Sequence, residues 1–104
     1  MVLLQNYWRI WIMTKFRIVP TNRFKKDLKI AIKRGYNIDL LGTIVDMLAV
    51  GKKLPEIYKD HSLIGNYKGC RECHITPDWL LIYEIDHGEV ILYLTRTGTH
   101  SDLF

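Results

Sequence analysis

Residues 67–96, YKGCRECHITPDWLLIYEIDHGEVILYLTR, decide the fold because they hold three short apolar runs separated by two turn signals. Runs of this length bounded by Pro, Gly and Asp are typical of strands in an antiparallel meander. Residues 76–78 suit the first turn because proline favours its first corner position. Residues 86–89 suit the second turn, where we expect Gly88 to adopt a positive φ. The three predicted strands are residues 67–75, 79–85 and 90–96.

Two amphipathic helices are predicted upstream of the meander. In residues 23–34 the apolar positions fall on one helical stripe, and Thr21 or Asn22 can cap the start. Gly35 can end this helix, and residues 38–49 show the same spacing. Only three residues separate the two helices, so we expect an antiparallel helical hairpin. The two stripes are Phe24, Leu28, Ala31 and Ile32, then Leu41, Ile44, Val45 and Leu48.

The order of elements predicts an α+β domain, with the helices on one face of a mainly antiparallel sheet. It comprises a short N-terminal strand at residues 15–19, the two-helix hairpin and the three-stranded antiparallel meander. We expect residues 54–69 to form a loop and the tail 97–104 to be short and irregular. We assign residues 13–104 to one domain. Residues 1–12 are an N-terminal extension that forms a strand or an amphipathic cap, or results from a start codon placed too early.

Composition and charge narrow the class of protein. The chain is 48% hydrophobic, 25% charged and 12% aromatic, which is typical of a globular domain. Residues 1–34 contain nine Lys or Arg and one Asp, whereas residues 35–104 contain six Lys or Arg and ten Asp or Glu. The basic first third favours a polyanionic partner such as nucleic acid, or forms a solvated helix face. No apolar run reaches about 18 residues and two cysteines make no disulfide framework, so we expect a cytoplasmic protein without a membrane span.

Histidines gather near the ends of the predicted strands. His74 ends the first strand and Asp78 lies across the turn, so both side chains can reach one sheet edge. A carboxylate beside an imidazole orients the ring and stabilises its charged form. Arg96 and His100 close the last strand of the meander, and His61 lies in the preceding loop. Three imidazoles and a fixed cation can cleave a phosphodiester, with Arg96 holding the phosphate by bidentate hydrogen bonds.

Each of these residues also has a purely structural interpretation. The pair at the first turn can be an ordinary turn carboxylate and an edge-strand imidazole. Arg96 can form an ion pair with Glu72 or Glu84. His61 can be a solvated loop side chain. His87 lies on the far hairpin turn, and we assign it no function.

Aromatic, cysteine and lysine side chains complete the candidate set. Trp79 and Phe104 are candidates for stacking on RNA bases, although both residue types are more often found in cores. Cys70 and Cys73 form a C-x-x-C motif, but positions i and i+3 of a strand point to opposite faces. We therefore expect neither a disulfide nor a shared metal site between them. The lysines off the first helix's apolar stripe are candidate contacts to RNA or an acidic partner: Lys25, Lys26, Lys29 and Lys33.

Four segments together match one bacterial protein family. They are YKDHSLIGNYKG (58–69), RECHITPDW (71–79), LLIY (80–83) and RTGTHSDLF (96–104). Their order and spacing are more specific than any one residue pair. Over residues 13–104 the chain thus resembles the YafQ-type toxins of bacterial toxin–antitoxin modules, within the RelE/ParE superfamily. The resemblance implies a RelE-like fold, which agrees with the predicted order of strand, helices and meander.

The members of this family are ribosome-dependent endoribonucleases that cut messenger RNA and are neutralised by an antitoxin. The resemblance implies an enzyme with mRNA, the ribosome and a cognate antitoxin as partners, without cofactor or metal. It implies attack by a ribose 2′-OH with His/Asp acid–base catalysis. Residues 1–12 and His87 have no counterpart in the family pattern. By position, the functional residues of the family fall on His61, His74, Asp78, Trp79, Arg96, His100 and Phe104.

Two other functions stay open. A ParE-like toxin would inhibit DNA gyrase without cutting RNA, and would not need several histidines at one sheet edge. A non-catalytic module that binds RNA or the ribosome would keep the basic helix but would tolerate alanine at His74 and His100.

Overall fold

Residues 15–104 are the part of the chain that the computed structural model describes, and the predicted extension, residues 1–12, lies outside it. The described residues form a five-stranded sheet, three α-helices and two short 3-10 turns. The strands are β1 (Arg17–Pro20), β2 (His61–Ser62), β3 (Arg71–Thr76), β4 (Trp79–Asp86) and β5 (Ile91–Gly98). The helices are α1 (Asn22–Lys33), α2 (Ile38–Ala49) and α3 (His100–Leu103), and the 3-10 turns are Glu56–Tyr58 and Gly65–Tyr67.

The sheet confirms the predicted α+β class and adds one strand to it. Its order is β1-β5-β4-β3-β2, in which β1 runs parallel to β5 and every other pair is antiparallel. The β3–β4–β5 meander and the N-terminal strand were predicted. Strand β2 was not, because His61 and Ser62 are too short a run to show alternation. In residues 15–104 no helix is long and apolar enough to span a membrane.

Local hydrogen bonds explain where the two long helices begin. Thr21 caps α1, since its Oγ1 accepts a hydrogen bond from Phe24 N at 3.1 Å. Asn37 caps α2 in the same way, with its side chain accepting from Asp39 N at 3.1 Å. Gly35 follows α1 with φ 79°, which suits glycine and ends the helix as predicted. Sequence signals alone therefore located both helices to within one residue.

Three local predictions are wrong. Strand β3 begins at Arg71 instead of residue 67, because the second 3-10 turn occupies the preceding stretch. Gly88 does not adopt a positive φ; Val90 does, at 57°, in the turn between β4 and β5. The tail is not irregular, because β5 extends to Gly98 and α3 follows it.

Apolar side chains cover both faces of the sheet. The larger core lies between the helices and one face, where Trp79, Leu81 and Tyr83 alternate along β4. A smaller cluster on the other face contains Leu80 and Ile82 from the same strand. It also includes Leu103 of α3, so the C-terminal helix packs on the face that α1 and α2 leave uncovered. The sheet face opposite α1 and α2 is therefore only partly covered by other elements.

The two cysteines lie on opposite faces, as predicted. Cys73 belongs to the larger core and Cys70 to the smaller cluster, and both are free thiols. Burial raises the pKa of the Cys73 thiol to about 12, so the group stays protonated at neutral pH. Within residues 15–104, no three His, Cys, Asp or Glu side chains form a cluster able to hold a metal ion.

A hydrogen-bonded carboxylate anchors the loop that leads into the sheet. Asp60 Oδ1 accepts a hydrogen bond from the Tyr83 hydroxyl at 2.6 Å. Asp60 Oδ2 accepts from Arg71 Nε at 3.1 Å and from Arg71 Nη2 at 2.9 Å. Burial and Asp60 together raise the pKa of Tyr83, so the phenol remains a donor. Because Asp60 precedes His61, this network fixes the position of a candidate catalytic residue.

We predict that Tyr83→Phe lowers the free energy of unfolding by about 1–3 kcal/mol, because Asp60 loses a donor in a partly buried site. Urea denaturation measures the change. Tyr93→Phe is the matched control, since it removes a hydroxyl from β5 without touching this network. Equal stability of the two variants would contradict an anchoring role for Asp60.

Candidate active site

Strand pairing places the candidate residues in two neighbouring rows on one face of the sheet. Residues that are paired directly across antiparallel strands point to the same face. This is the face of the smaller apolar cluster, because Leu80 and Ile82 belong to both the rows and the cluster. The first row, from β2 to β5, is His61, Glu72, Ile82 and Arg96, and the second, from β3 to β5, is His74, Leu80 and Gly98.

A buried carboxylate, Glu72, lies between two of the predicted imidazoles. Its side chain is 4% exposed, and its two oxygens lie 3.8 Å from His61 Nε2 and 3.9 Å from His74 Nε2. At these distances the carboxylate forms an ion pair with either ring when that ring is protonated. Sequence reasoning missed this role. The available signal was that Glu72 and His74 are two residues apart on a strand and so share a face.

The backbone of Lys59 holds the other nitrogen of His61. Lys59 ends the first 3-10 turn with φ 50°, in the left-handed region that few non-glycine residues adopt. Its carbonyl oxygen lies 2.8 Å from His61 Nδ1. A carbonyl oxygen can only accept a hydrogen bond, so Nδ1 of His61 is the donor in this contact. The other ring nitrogen, Nε2, faces Glu72. The exposed ring of His61 is thus held on one side by a hydrogen bond and has the Glu72 carboxylate on the other.

Three of the predicted catalytic residues line one open cleft of about 480 Å³. His74 comes from β3, Asp78 from the β3–β4 turn and His100 from the start of α3. Two imidazoles thus face a common space that a chain of nucleotides can enter from solvent. His61 and Arg96 lie outside this lining, and Glu72 links His61 to His74. The other lining residues are Tyr36, Pro77, Leu80, Thr99 and Ser101.

The predicted pairing of His74 with Asp78 is wrong. Within residues 15–104, the carboxylate within ion-pair distance of His74 belongs to Glu72. On the other side of the ring, His74 Nδ1 lies 3.4 Å from the carbonyl oxygen of Pro77. Asp78 is exposed and faces the cleft itself. Asp78 therefore shares the cleft with His74 without forming an ion pair with it.

Arg96 forms an ion pair with α1, and its predicted contact with phosphate stays a prediction. Its Nε lies 2.6 Å from Asp27 Oδ2 and its Nη2 lies 3.1 Å from Asp27 Oδ1. This bidentate ion pair occupies the Nε/Nη2 edge of the guanidinium and leaves the Nη1/Nη2 edge for a phosphate contact. The alternative partners, Glu72 and Glu84, are not the ones found. The hydrogen bond to Asp27 raises the pKa of Arg96, and Nη1 lies 3.3 Å from the Tyr67 hydroxyl oxygen.

Helix α3 carries His100 and is tied to the end of α1. Thr99 and Asp102 form a reciprocal capping box, with hydrogen bonds of 2.8 and 3.2 Å. Asp102 also accepts from Arg34 Nη1 at 2.6 Å and Arg34 Nη2 at 3.1 Å. Gly98 permits this close packing, because a Cβ there would lie 3.0 Å from the Asp102 side chain. These contacts set the position of His100 at the cleft.

The two aromatic candidates differ in exposure. Trp79 is 2% exposed and packs against Tyr36 with ring centroids 4.9 Å apart, so its predicted stacking on RNA is wrong. Phe104 is 58% exposed. Its ring centroid lies 4.9 Å from that of His100 and 5.6 Å from that of Tyr67. An exposed aromatic ring beside a cleft histidine is available to stack on a base.

Helix α1 presents a basic surface to solvent. Its four candidate lysines are all exposed. Asp27, the acidic residue of this helix, is turned toward β5 by its ion pair with Arg96. The outward surface therefore keeps its positive charge. The exposed lysines are Lys25, Lys26, Lys29 and Lys33.

We predict that the Arg34–Asp102 contact gives stability a dependence on acid pH. Arg34 and the cap hold the pKa of the Asp102 carboxyl well below its unfolded value of about 3.9. Its stabilisation is therefore present above about pH 4 and is lost as the pH falls toward the folded-state pKa. The difference in unfolding free energy between wild type and Asp102→Asn should be largest at pH 7 and shrink below about pH 4. Urea denaturation at several pH values measures it.

The control for this experiment is Glu89→Gln, which removes one negative charge from the exposed turn between β4 and β5. The unfolding free energy of Glu89→Gln should stay close to that of wild type at every pH. A pH-independent difference for Asp102→Asn would contradict the assigned ion pair.

Comparisons with known proteins identify the family of this fold. The chain matches the family described as the bacterial toxin of type II toxin–antitoxin system, YafQ, over residues 16–104. The mRNA interferase toxin YafQ of Escherichia coli K12 is 40% identical over 85 residues, or 81% of this chain and 90% of that protein. The crystal structure of YafQ from E. coli BL21(DE3) has a TM-score of 0.80 and 38% identity, covering 86% of this chain and 98% of that one.

This chain is also similar to one chain of the solved E. coli DinJ–YafQ toxin–antitoxin complex. Its matching chain has a TM-score of 0.79 and 38% identity, again over 86% of this chain and 98% of that one. These matches confirm the resemblance seen in the four sequence segments, and they extend across the sheet, α1, α2 and the C-terminal helix. The chain belongs to the YafQ family of toxins of bacterial type II toxin–antitoxin systems.

Proposed function

We propose that this chain is an mRNA interferase, a ribosome-dependent endoribonuclease that a cognate antitoxin neutralises. The E. coli relative is an mRNA interferase toxin by name, and a second E. coli relative was solved in complex with the antitoxin DinJ. The single observation that carries the proposal is the cleft between β3 and α3. There, His74 and His100 face one space wide enough for a nucleotide backbone.

The chemistry is a transesterification within the RNA strand. A base removes the proton from a ribose 2′-OH, whose oxygen then forms a bond to the adjacent phosphorus. The bond from phosphorus to the 5′ oxygen breaks as an acid donates a proton to that oxygen. The products are a 2′,3′-cyclic phosphate, which hydrolysis converts to a 3′-phosphate, and a 5′-hydroxyl end. Two imidazoles supply both proton transfers, so a metal is not required.

The surrounding residues have distinct roles in this proposal. Glu72 is a positioning residue that fixes His61 and His74, and His61 adds a second imidazole beside the first. Asp78 faces the cleft, where it orients the ribose through its hydroxyl groups. Phe104 stacks on a base next to His100. Arg96 contacts the phosphate through its Nη1/Nη2 edge, and its contacts with Asp27 and Tyr67 support the packing of Phe104 on Tyr67.

The charge distribution is consistent with a large RNA partner. The exposed lysines of α1 form a basic surface that phosphate groups can neutralise with release of counterions. Loss of one such phosphate contact lowers the slope of log affinity against log salt by about one unit. The same surface also suits an acidic segment of the antitoxin. Ribosome dependence places the activity in the cytoplasm.

The alternative functions make different demands on the cleft. A gyrase inhibitor would not need His74 and His100 across a common space, and it would create no new RNA 5′ ends. A non-catalytic RNA-binding module would retain its effect when either imidazole is removed. Primer extension on transcripts after induction of the toxin separates these cases, because only the nuclease produces new 5′ ends at defined codons.

We predict that His100→Ala abolishes growth arrest and lowers the cleavage rate by about 100- to 10,000-fold, the usual contribution of one placed proton-transfer group. His100 is exposed, so its removal should leave the fold intact. His87→Ala is the matched control, because His87 is also exposed but lies on the β4–β5 turn. Full activity of His100→Ala would remove His100 from the mechanism.

We also predict that Glu72→Gln lowers kcat with little change in KM, since it removes the charge that positions two imidazoles but no contact to substrate. The loss should be smaller than that of His74→Ala. Glu84→Gln serves as the control, because Glu84 lies on β4 and is exposed. Single-turnover cleavage of mRNA on programmed ribosomes measures these effects. A raised KM with unchanged kcat would show that Glu72 acts in binding instead.

A further inference from the structure

A second concavity adjoins the catalytic cleft at the end of β3. Its volume is about 290 Å³, and it lies between the first 3-10 turn and the β3–β4 turn. We call it the Ile57 groove. Most of its surface is apolar, and its lining includes one exposed lysine, Lys59. The groove is lined by Ile57, Tyr58, Lys59, His74, Ile75, Thr76 and Pro77.

The exposure of Ile57 has no structural explanation within the fold. Its side chain is 79% exposed, so it adds almost nothing to the core. Beside it, Tyr58 is half-buried against the helix-side core and presents only part of its ring to the groove. Apolar surface that the fold leaves in contact with solvent at a concave site is typical of ligand binding.

The Ile57 groove adjoins the cleft in which cleavage is proposed. His74 and Pro77 line both concavities. A phosphodiester held between His74 and His100 therefore has one neighbouring nucleotide on the His74 side, directed to the groove. Lys59, which lines the groove and is exposed, can contact the phosphate of that nucleotide. Single-stranded RNA is commonly held by aromatic rings beside positive charge, and the groove offers Tyr58 and Lys59 in this combination.

The backbone of the groove is held in place by the same contacts that position His61. Lys59 has its left-handed conformation and its carbonyl lies 2.8 Å from His61 Nδ1. The following residue, Asp60, is tied to Arg71 and Tyr83. The segment that carries Ile57 is therefore fixed relative to the catalytic imidazoles, and a base bound there would have a defined position.

We propose that the Ile57 groove binds the nucleobase of the nucleotide next to the scissile phosphate, on the side of His74. This inference rests on the proposed nuclease function and adds a base-binding subsite to it. The base lies against Ile57 and Pro77, and the groove thereby contributes to the choice of cleavage site. An apolar side chain of a protein partner is the competing occupant, and the experiment below distinguishes it.

The experiment is a double-mutant cycle. One change alters the groove in the protein, and the other removes the base from the RNA. Ile57→Asn removes apolar surface without adding charge. Ile64→Asn is its matched control, because Ile64 is 89% exposed and lies outside the groove. The RNA arm uses ribosomes programmed with mRNA that carries an abasic nucleotide on one side or the other of the cleavage site. The measured quantity is kcat/KM for cleavage.

Ile57→Asn should lower kcat/KM on intact mRNA by about 5- to 100-fold, the range expected when a buried isoleucine side chain loses its apolar contact. Ile64→Asn should cleave like wild type. An abasic nucleotide on one side of the cleavage site should cause a similar loss in wild type but little further loss in Ile57→Asn, because the two changes remove the same contact. Thermal unfolding of both variants checks that the fold is unchanged.

The inference would be overturned if the loss caused by Ile57→Asn multiplied with the loss caused by an abasic nucleotide at both positions. Equal activity of Ile57→Asn and Ile64→Asn would also overturn it. Normal cleavage by Ile57→Asn with failure of the antitoxin to neutralise it would also overturn it, and would assign the groove to a protein partner. If wild type cuts no programmed mRNA, the proposed function fails together with the inference. Cleavage with independent effects rejects the subsite alone.

Discussion

The pairing register of strands β2 to β5 is the constraint on which the site depends. It aligns His61, Glu72, Ile82 and Arg96 across four strands. It also places His74 one row further toward the cleft. A shift of one residue in any pair would turn the whole set of side chains on that strand to the other face. The burial of Leu81 and Tyr83 on the helix side prevents such a shift, so the apolar core that stabilises the sheet also determines where the polar residues point.

Two ion pairs also connect α1 to the elements that carry the site. Asp27 binds Arg96 near the middle of the helix, and Arg34 binds Asp102 just beyond its end. The first contact supports Tyr67 and the second supports α3, which carries His100. A helix whose outer surface is basic is thus linked on its inner side to both the central sheet and the C-terminal helix. RNA or a protein partner that bound to α1, as proposed, would therefore lie close to the residues that hold the cleft together.

Local periodicity was enough to predict α1, α2 and the meander, because each depends on a repeat of apolar residues that the chain itself carries. The opposite faces of Cys70 and Cys73 followed from the same alternation. Strand β2 and helix α3 were missed because segments of two and four residues contain less than one full pattern. The partner of Arg96 could not be predicted, since Asp27 is separated from it by most of the fold.

The sequence predicted several residues that line the candidate site, but it did not predict the contacts between them. His74, Asp78 and His100 do share a cleft, but the carboxylate that faces His74 is Glu72, and Trp79 is a core residue. These errors have a common cause. The sequence shows which chemical groups are near a strand end, whereas burial and the direction of each side chain are set by register and by residues distant in the chain.

The most direct test of the central claim is cleavage of an RNA whose scissile 5′ oxygen is replaced by sulfur. A thiolate leaves without protonation, so such a substrate does not need the general acid. If His74 and His100 divide the roles of base and acid, one of the two alanine variants should regain cleavage of this substrate and the other should not. The rescued variant identifies the acid. Failure to rescue either variant, while wild type cleaves the sulfur substrate, would contradict the assignment of these two imidazoles as an acid–base pair.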